Sequence, residues 1–182
     1  MKTLKSRIII FACCLLLITA GCKKNKSVGY GSMAVRMTDV PAVYSSVNVN
    51  IQSIAIHFED ERKGSGGWVL FATNSGFYDL LKLQNDVTVV LANEKVLPLG
   101  QVSQLRLILG DGNTVATGGV VYPLVAPSGM QTGIKIDVNT EIKYKSHIDI
   151  TLDFDADSSV VLEGNGTFSL KPVIKIKSIV QY

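Results

Sequence analysis

The chain has 182 residues, of which 18 are Lys or Arg and 15 are Asp or Glu, giving a formal charge of +3, and 47% are hydrophobic. This apolar content excludes intrinsic disorder, and 16 glycines without a collagen-like period exclude a triple helix. Three cysteines are too few for a disulfide scaffold, and the length allows one domain or at most two.

The N-terminus has the pattern of an export signal. Its charged region contains Lys2, Lys5 and Arg7. An uninterrupted apolar stretch follows from Ile8 to Ile18, which is too short to span a bilayer as a permanent helix. The next residues, Thr19-Ala20-Gly21-Cys22, resemble the lipobox that bacterial lipoprotein signal peptidase cleaves. We therefore expect residues 1–21 to be a lipoprotein signal peptide.

On that resemblance, Cys22 becomes the mature N-terminus and carries a diacylglycerol and an amide-linked acyl chain such as palmitate. Several acyl chains anchor a protein stably to a membrane without a transmembrane helix. Cys13 and Cys14 would leave with the signal, so the mature domain would hold no disulfide, cysteine zinc site or thiolate nucleophile. The alternative is an ordinary secretory signal with a chance cysteine at its end.

Residues 22–28 are expected to be the lipidated cysteine and a polar tether, and residues 29–182 one domain. Lys23 is not the aspartate that retains enteric lipoproteins at the inner membrane, so we expect the outer membrane, facing the periplasm. Without the signal and the tether lysines, 12 basic and 15 acidic residues remain. A slightly acidic domain with scattered lysines argues against a nucleic-acid partner.

Short β strands are predicted along the rest of the chain. Apolar residues alternate from Met33 to Met37, and again from Val47 to Phe58 with a change of phase that predicts a β bulge at Gln52-Ser53. Gly64-Ser65-Gly66-Gly67 is expected to be a loop leading into a strand at Trp68. One helical turn is expected near residues 79–83.

The second half continues the pattern of alternation. Asp111-Gly112 is predicted to form a hairpin turn, and Lys145-Ser146-His147 to join two strands that pair through Lys143 and Asp149. Further strands are expected at 87–91, 103–109, 120–125, 133–138, 160–162, 168–170 and 173–179. Many short strands with little or no helix predict a single antiparallel β sandwich of Greek-key type.

Several motifs carry a family resemblance over residues 29–180. They are Thr38-Asp39-Val40-Pro41, Tyr78-Asp79-Leu80-Leu81, Leu97-Pro98-Leu99-Gly100, Leu152-Asp153-Phe154-Asp155 and Leu170-Lys171-Pro172-Val173. Together they resemble a bacterial lipoprotein family known only as a domain of unknown function. The resemblance implies a prealbumin-like or carbohydrate-binding-like sandwich, and it implies no catalytic residues.

The candidate metal ligands are Asp153, Asp155 and Asp157, which alternate along one stretch. Alternate carboxylates on a strand lie about 6.6–6.8 Å apart, so a Ca²⁺ ion reaches all three only if the chain curls there. The competing and favoured interpretation is a solvated acidic face that discourages edge-to-edge pairing. No other cofactor is expected.

Aromatic residues supply the candidate ligand-binding positions: Trp68, Tyr44 and Tyr122. Trp68 beside a glycine-rich loop has the setting of a sugar platform, although a lone tryptophan more often packs in or beside the core. His57 and His147 lie in no catalytic motif, so we expect both to be exposed and structural.

These patterns predict a non-enzymatic, lipid-anchored envelope protein that binds a glycan or a protein partner. The alternative is a structural or assembly subunit whose apolar strand at 173–179 pairs with a neighbouring molecule.

Overall fold

The structure is a computed structural model that describes residues 29–126 and 132–182. The predicted signal peptide at residues 1–21, the lipidated Cys22 and the tether at 22–28 lie outside the described residues. Within the two described ranges, no helix is both long enough and apolar enough to cross a membrane.

Strands make up 66% of the described residues. A 3-10 helix at Leu80–Leu83 and a four-residue helix α1 at Ala156–Ser159 interrupt them. The strands are β1 (Tyr30–Thr38), β2 (Ser46–Asp60), β3 (Ser65–Leu70), β4 (Gly76–Asp79), β5 (Val89–Pro98), β6 (Gly100–Leu109), β7 (Thr114–Thr117), β8 (Val120–Val125), β9 (Ile134–Ile142), β10 (His147–Asp155), β11 (Val160–Leu162), β12 (Phe168–Leu170) and β13 (Val173–Gln181).

The strands form two sheets, which confirms the all-β sandwich. The smaller sheet has four strands in the order β13-β10-β1-β5. Its two central strands, β1 and β10, are parallel, with Ser32 opposite His147 and Thr38 opposite Asp153. The expectation of a purely antiparallel sandwich is therefore wrong, because strands this far apart in sequence have enough chain between them to pair in parallel.

The larger sheet has nine strands arranged around β2. One edge of β2 pairs with β6 and then β7, and its other edge pairs with β3 and then β4. Strand β9 lies beside β6, whereas β8 lies beside β7 and is followed by β12 and β11. Strands β8 and β12 form a second parallel pair.

The predicted bulge in β2 is confirmed. Its register with β6 shifts between Ile51 and Ser53, and Gln52 is exposed there. Before the shift Val47, Val49 and Ile51 are buried, and after it the buried positions move to Ile54, Ile56 and Phe58. The extra residue therefore keeps both halves of one strand facing the same core.

Two predicted hairpins are wrong. Strands β9 and β10 belong to different sheets, so residues 145–147 connect the two layers rather than two paired strands. Strands β6 and β7 do not pair with each other, because both pair with β2, one after the other along its length. The segment at Asp111-Gly112 is the loop that connects them. The expected loop at 64–67 is shorter, because β3 begins at Ser65.

One core fills the space between the sheets. The alternating residues of β10 are all buried against it, as are the alternating residues of β1. The fully buried side chains of these two strands are Met33, Val35, Met37, Ile148, Ile150, Leu152 and Phe154. Ile174, Ile176 and Ile179 of β13 pack against this core while remaining partly exposed.

Candidate functional site

A cleft of about 420 Å³ opens between the edges of the two sheets. Strand β3 forms one wall, and the last residues of β5, from Lys95 to Pro98, form the other. Phe58 and Leu97, both nearly buried, contribute core side chains to it. We call this feature the edge cleft.

The edge cleft exists because, along this side of the sandwich, the chain crosses between the two sheets below it. After β3 ends at Leu70, the chain crosses to β5, where Thr73 forms a bridge with Ala92 and the amide of Asn93 donates to Ala72. These contacts cover the middle of the β5 edge. Beyond Asn93, β5 and β3 diverge and leave the space between them open.

The edge of β3 that faces the edge cleft pairs with no other strand among the described residues. The amide of Phe71 donates to Ile54 on β2, at 2.9 Å. Since backbone groups alternate in direction along an antiparallel strand, Gly67 and Val69 also face β2, and Gly66 and Trp68 face outward. Glycine at 66 and 67 leaves this edge without large side chains, and a Cβ placed on Gly67 would meet nothing within 4 Å.

The charge in the edge cleft is positive. The side chain of Lys95 donates to the outward carbonyl of Leu70 at 2.8 Å, and Lys63 lies at the other end of β3. Neither lysine forms an ion pair with a described carboxylate. Asp60, which also lines the edge cleft, is neutralised by the Arg62 guanidinium at 3.1 Å, and hydrogen bonding from that guanidinium lowers the Asp60 pKa.

The Trp68 ring is covered in part by neighbouring side chains and so does not offer the free stacking surface expected of a sugar-binding tryptophan. The Arg106 guanidinium lies 3.8 Å from the centre of its ring, and His57 meets it edge-on at 5.4 Å. His57 in turn contacts the Ser103 hydroxyl at 3.0 Å. Trp68 as a whole is 37% exposed, and with Arg106 and His57 against its ring a ligand would not meet two free ring faces.

The two candidate tyrosines lie far from Trp68. Trp68 is opposite His57, whereas Tyr122 shares a row with Val47, ten residues earlier on β2 and therefore roughly 30 Å away. Tyr122 packs against Phe168, with ring centres 5.0 Å apart. Tyr44 precedes β2 and packs half-buried on the core, and burial raises its pKa. The structure therefore does not bring the three aromatic residues together.

The three candidate metal ligands, Asp153, Asp155 and Asp157, lie in different local settings and do not converge on one site. Asp155 caps α1, accepting from the Ser158 amide at 2.9 Å, and Asp157 lies exposed in that helix. Asp153 stands on β10 with one buried, unpartnered carboxylate oxygen, and burial raises its pKa. Among the described residues, no group of three His, Cys, Asp or Glu side chains is arranged to hold a metal ion.

Asp39 is a buried carboxyl that fastens three segments at the other end of the molecule from the edge cleft. It is 3% exposed, and its side chain accepts from the Ala156 amide at 2.9 Å. Its own amide donates to Leu83 at 3.1 Å, and the Thr38 hydroxyl donates to the same carbonyl at 2.8 Å. Burial, aided by the charge of Asp153, raises the Asp39 pKa to about 6. The Thr-Asp motif therefore ties β1 to both short helices.

A second polar cluster covers one end of the outer face of the smaller sheet. His147 lies 2.8 Å from the Ser32 hydroxyl and 3.3 Å from Glu94 through Nδ1, and 3.5 Å from Asp149 through Nε2. The expectation that both histidines are exposed is wrong, since each is half-buried and hydrogen-bonded. The hydrogen-bond partners of both histidines lie on other strands, so no local sequence motif predicts these contacts.

Sequence reasoning missed Lys63 and Lys95 as members of a site, as well as the cluster around His147. Ser32 and His147 are 115 residues apart, and only the parallel pairing of β1 with β10 brings them together. The glycine-rich run at 64–67 was a usable signal for the edge cleft, because glycines in an edge strand leave its backbone accessible.

The fold and the edge cleft define an all-β sandwich with two mixed sheets and an open edge strand. The chain belongs to the family described as "Domain of unknown function (DUF4382)", whose model matches residues 30–172. This confirms the expected membership of a family of unknown function. No curated protein and no solved structure matches the chain.

Replacing Asp39 with asparagine tests its burial. The Asp39 pKa of about 6 lies above the ordinary aspartate value of 3.8, so protonation of Asp39 favours the folded state below pH 4, and this stabilisation is lost as the pH rises through 6. Asparagine keeps the oxygen that accepts from Ala156 and carries no charge. We expect Asp39→Asn to match the wild type near pH 4 and to exceed its unfolding free energy by about 2–3 kcal/mol near pH 8.

Urea unfolding of both proteins at several pH values measures this difference. Asp39→Ala, which also loses the acceptor, serves as the control and is expected to be less stable than the asparagine variant at every pH. A difference between wild type and Asp39→Asn that does not change with pH would contradict the raised pKa.

Proposed function

We propose that this protein is a lipid-anchored, non-enzymatic binding module of the bacterial cell envelope. Anchoring is supported by the Thr19-Ala20-Gly21-Cys22 sequence after a charged and apolar leader. On this proposal Cys22 carries the acyl chains, and the domain sits at the outer membrane, facing the periplasm. The short run from Cys22 to Gly29 holds the domain within roughly 25 Å of the lipid surface.

The binding function is supported by one observation, the open backbone edge of β3 beside the edge cleft. An extended polypeptide segment fits this geometry, because it can hydrogen-bond to the outward groups of Gly66 and Trp68 as an added strand. Its alternate side chains would enter the edge cleft and meet Val69, Val96 and Leu97. We therefore assign a protein partner in preference to a glycan at this position.

The charge of the edge cleft defines the kind of segment. Lys63 and Lys95 supply two ammonium groups, while Arg62 already neutralises Asp60. A segment carrying Asp or Glu at alternate positions complements this charge and also gains hydrogen bonds from Lys95. The proposed partner is therefore an extended acidic segment of another envelope protein.

The non-enzymatic part of the proposal is supported by the burial of Ser32. Its hydroxyl is 2.8 Å from His147, which also contacts carboxylates, as in a hydrolytic arrangement. However, Ser32 is only 9% exposed, on a sheet face, so a substrate carbonyl has little access to its oxygen. We assign no catalytic role to it.

Assembly through β13 is the second candidate function. The observation that favours it is the position of β13, which pairs with β10 on one side and forms the outer strand of the four-stranded sheet on the other. Lys175 and Lys177 lie on this strand, and lysines on an edge oppose strand addition. We therefore rank assembly below partner binding.

Cys22→Ser tests the anchor. We expect metabolically supplied palmitate to label the wild-type chain and not the variant, because the serine cannot accept the thioether-linked lipid. The wild type should sediment with outer membranes, and the variant should not be processed at Gly21-Cys22. Equal labelling of both proteins, or no labelling of the wild type, would contradict the lipid-anchored proposal.

Gly66→Pro tests binding at the edge cleft. Proline removes only an outward amide and obstructs an incoming strand, and a Cβ at Gly66 makes no contact shorter than 3.3 Å. The probe is a phage-displayed library of random decapeptides, selected on the non-acylated chain from residue 22 with Cys22→Ser. We expect enriched peptides to be rich in Asp and Glu and to lose at least about tenfold in affinity for Gly66→Pro.

Gly67→Ala is the matched control, since its Cβ meets nothing within 4 Å and its amide faces β2. It should bind the selected peptides like the wild type, and circular dichroism should show that both variants fold. Failure to enrich any peptide, or equal binding to Gly66→Pro, would contradict the proposal. Oligomers in sedimentation velocity of the same protein would instead favour assembly.

A further inference from the structure

On the outer face of the smaller sheet, short side chains of β1 lie between longer polar side chains of neighbouring strands, and we call this polar patch the trough. Its floor is β1, whose side chains there, Ser32 and Ala34, are short and nearly buried. One side is formed by Glu94 on β5, and the other by His147 and Tyr182, which follows β13. The strand register places these residues in one row across the sheet. Ser32 is opposite His147. The backbone amides of His147 and Tyr182 each donate to the carbonyl of the other.

The polar groups of the trough hold one another in place. Tyr182 donates its hydroxyl to Asp149 at 3.1 Å, and its ring centre lies 5.1 Å from that of His147. Arg36 approaches Asp149 with its Nε at 3.5 Å. Hydrogen bonding from Ser32, and then from His147, lowers the Glu94 pKa, so Glu94 is ionised at neutral pH. The side chains are therefore ordered before any ligand arrives.

The groups that remain available to a ligand are of three kinds. The Glu94 carboxylate is a hydrogen-bond acceptor with a side chain 58% exposed, and the Arg36 guanidinium is a donor with a side chain 40% exposed. Tyr182, which is 71% exposed, offers an apolar ring surface. An acceptor, a donor and a flat ring within one patch suit a ligand that has hydroxyl groups on its edge and an apolar face.

The charge balance excludes strongly charged ligands. Glu94 and Asp149 repel anions, and Arg36, which lies against Asp149, opposes cations. A metal ion is disfavoured as well, because the described residues include no group of three suitable ligands. A neutral polyhydroxylated molecule is the class that satisfies both the donors and the acceptors without an uncompensated charge.

We propose that this trough binds a neutral saccharide unit. One face of the pyranose ring lies on Tyr182, neighbouring hydroxyls donate to Glu94, and another hydroxyl accepts from Arg36. The trough lies on the outer face of the smaller sheet, whereas the proposed polypeptide site lies along β3 of the larger sheet; the two adjoin at β5, where Glu94 precedes Lys95. The protein would then hold a protein partner at the edge cleft and a sugar at the trough.

Saturation-transfer NMR and titration calorimetry test the trough, using glucose, galactose, mannose and N-acetylglucosamine as probes and the non-acylated chain. We expect at least one of them to bind with a Kd of about 1 mM, as is usual for a small ligand on an open surface. Glu94→Ala and Tyr182→Ala should each weaken that binding at least about tenfold.

Two matched controls lie elsewhere on the surface. Tyr144→Ala removes a tyrosine of similar exposure, 64% against 71% for Tyr182, and Glu141→Ala removes an exposed glutamate outside the trough. Both should bind the sugar within about twofold of the wild type. The proposal is overturned if none of the four sugars binds at concentrations of about 20 mM, or if binding persists in Glu94→Ala and Tyr182→Ala. Peptide binding by Tyr182→Ala should stay unchanged, because Tyr182 follows β13, at the opposite edge of the four-stranded sheet from β5, and this separates the test from that of the edge cleft.

Discussion

The length of β2 is the constraint on which the other features depend. This strand has 15 residues and pairs with β6 and β7 along one edge and with β3 and β4 along the other. A strand that long would turn its second half away from the core if its alternation were unbroken. The bulge at Gln52 restores the phase, and without it the row from Ile54 to Phe58 would face solvent.

The edge cleft results from the pairing of both β3 and β4 with β2. Because β3 and β4 share one edge of β2, the chain between them must leave the sheet, and it does so toward β5. That crossing joins the two sheets at one point and leaves β3 and the end of β5 apart above it. At the opposite end, Asp39 and its contacts with Leu83 and Ala156 close the sandwich. The end of the sandwich at Asp39 is therefore closed by hydrogen bonds, whereas the end at the edge cleft is open.

The sequence was informative where the signal is local. Alternation placed β1, β2, β6, β8 and β10, and a change of phase located the bulge, because both depend on neighbouring residues. Strand partners were not predictable in the same way. The run from Ile142 to Ile148 reads as one hairpin, yet its halves lie in different sheets, since pairing is decided by the whole core. The contacts of Ser32 with His147 and of Lys95 with Leu70 join distant segments, and no spacing encodes them.

Amide hydrogen exchange of the free protein measures whether the outward backbone edge of β3 is open. If the edge is open, the amides of Gly66 and Trp68 should exchange at least about a hundredfold faster than those of Gly67 and Val69, which face β2. NMR of the non-acylated chain resolves these four amides individually. Equal protection of all four would contradict the account, because it would mean that the outward edge of β3 already has a partner.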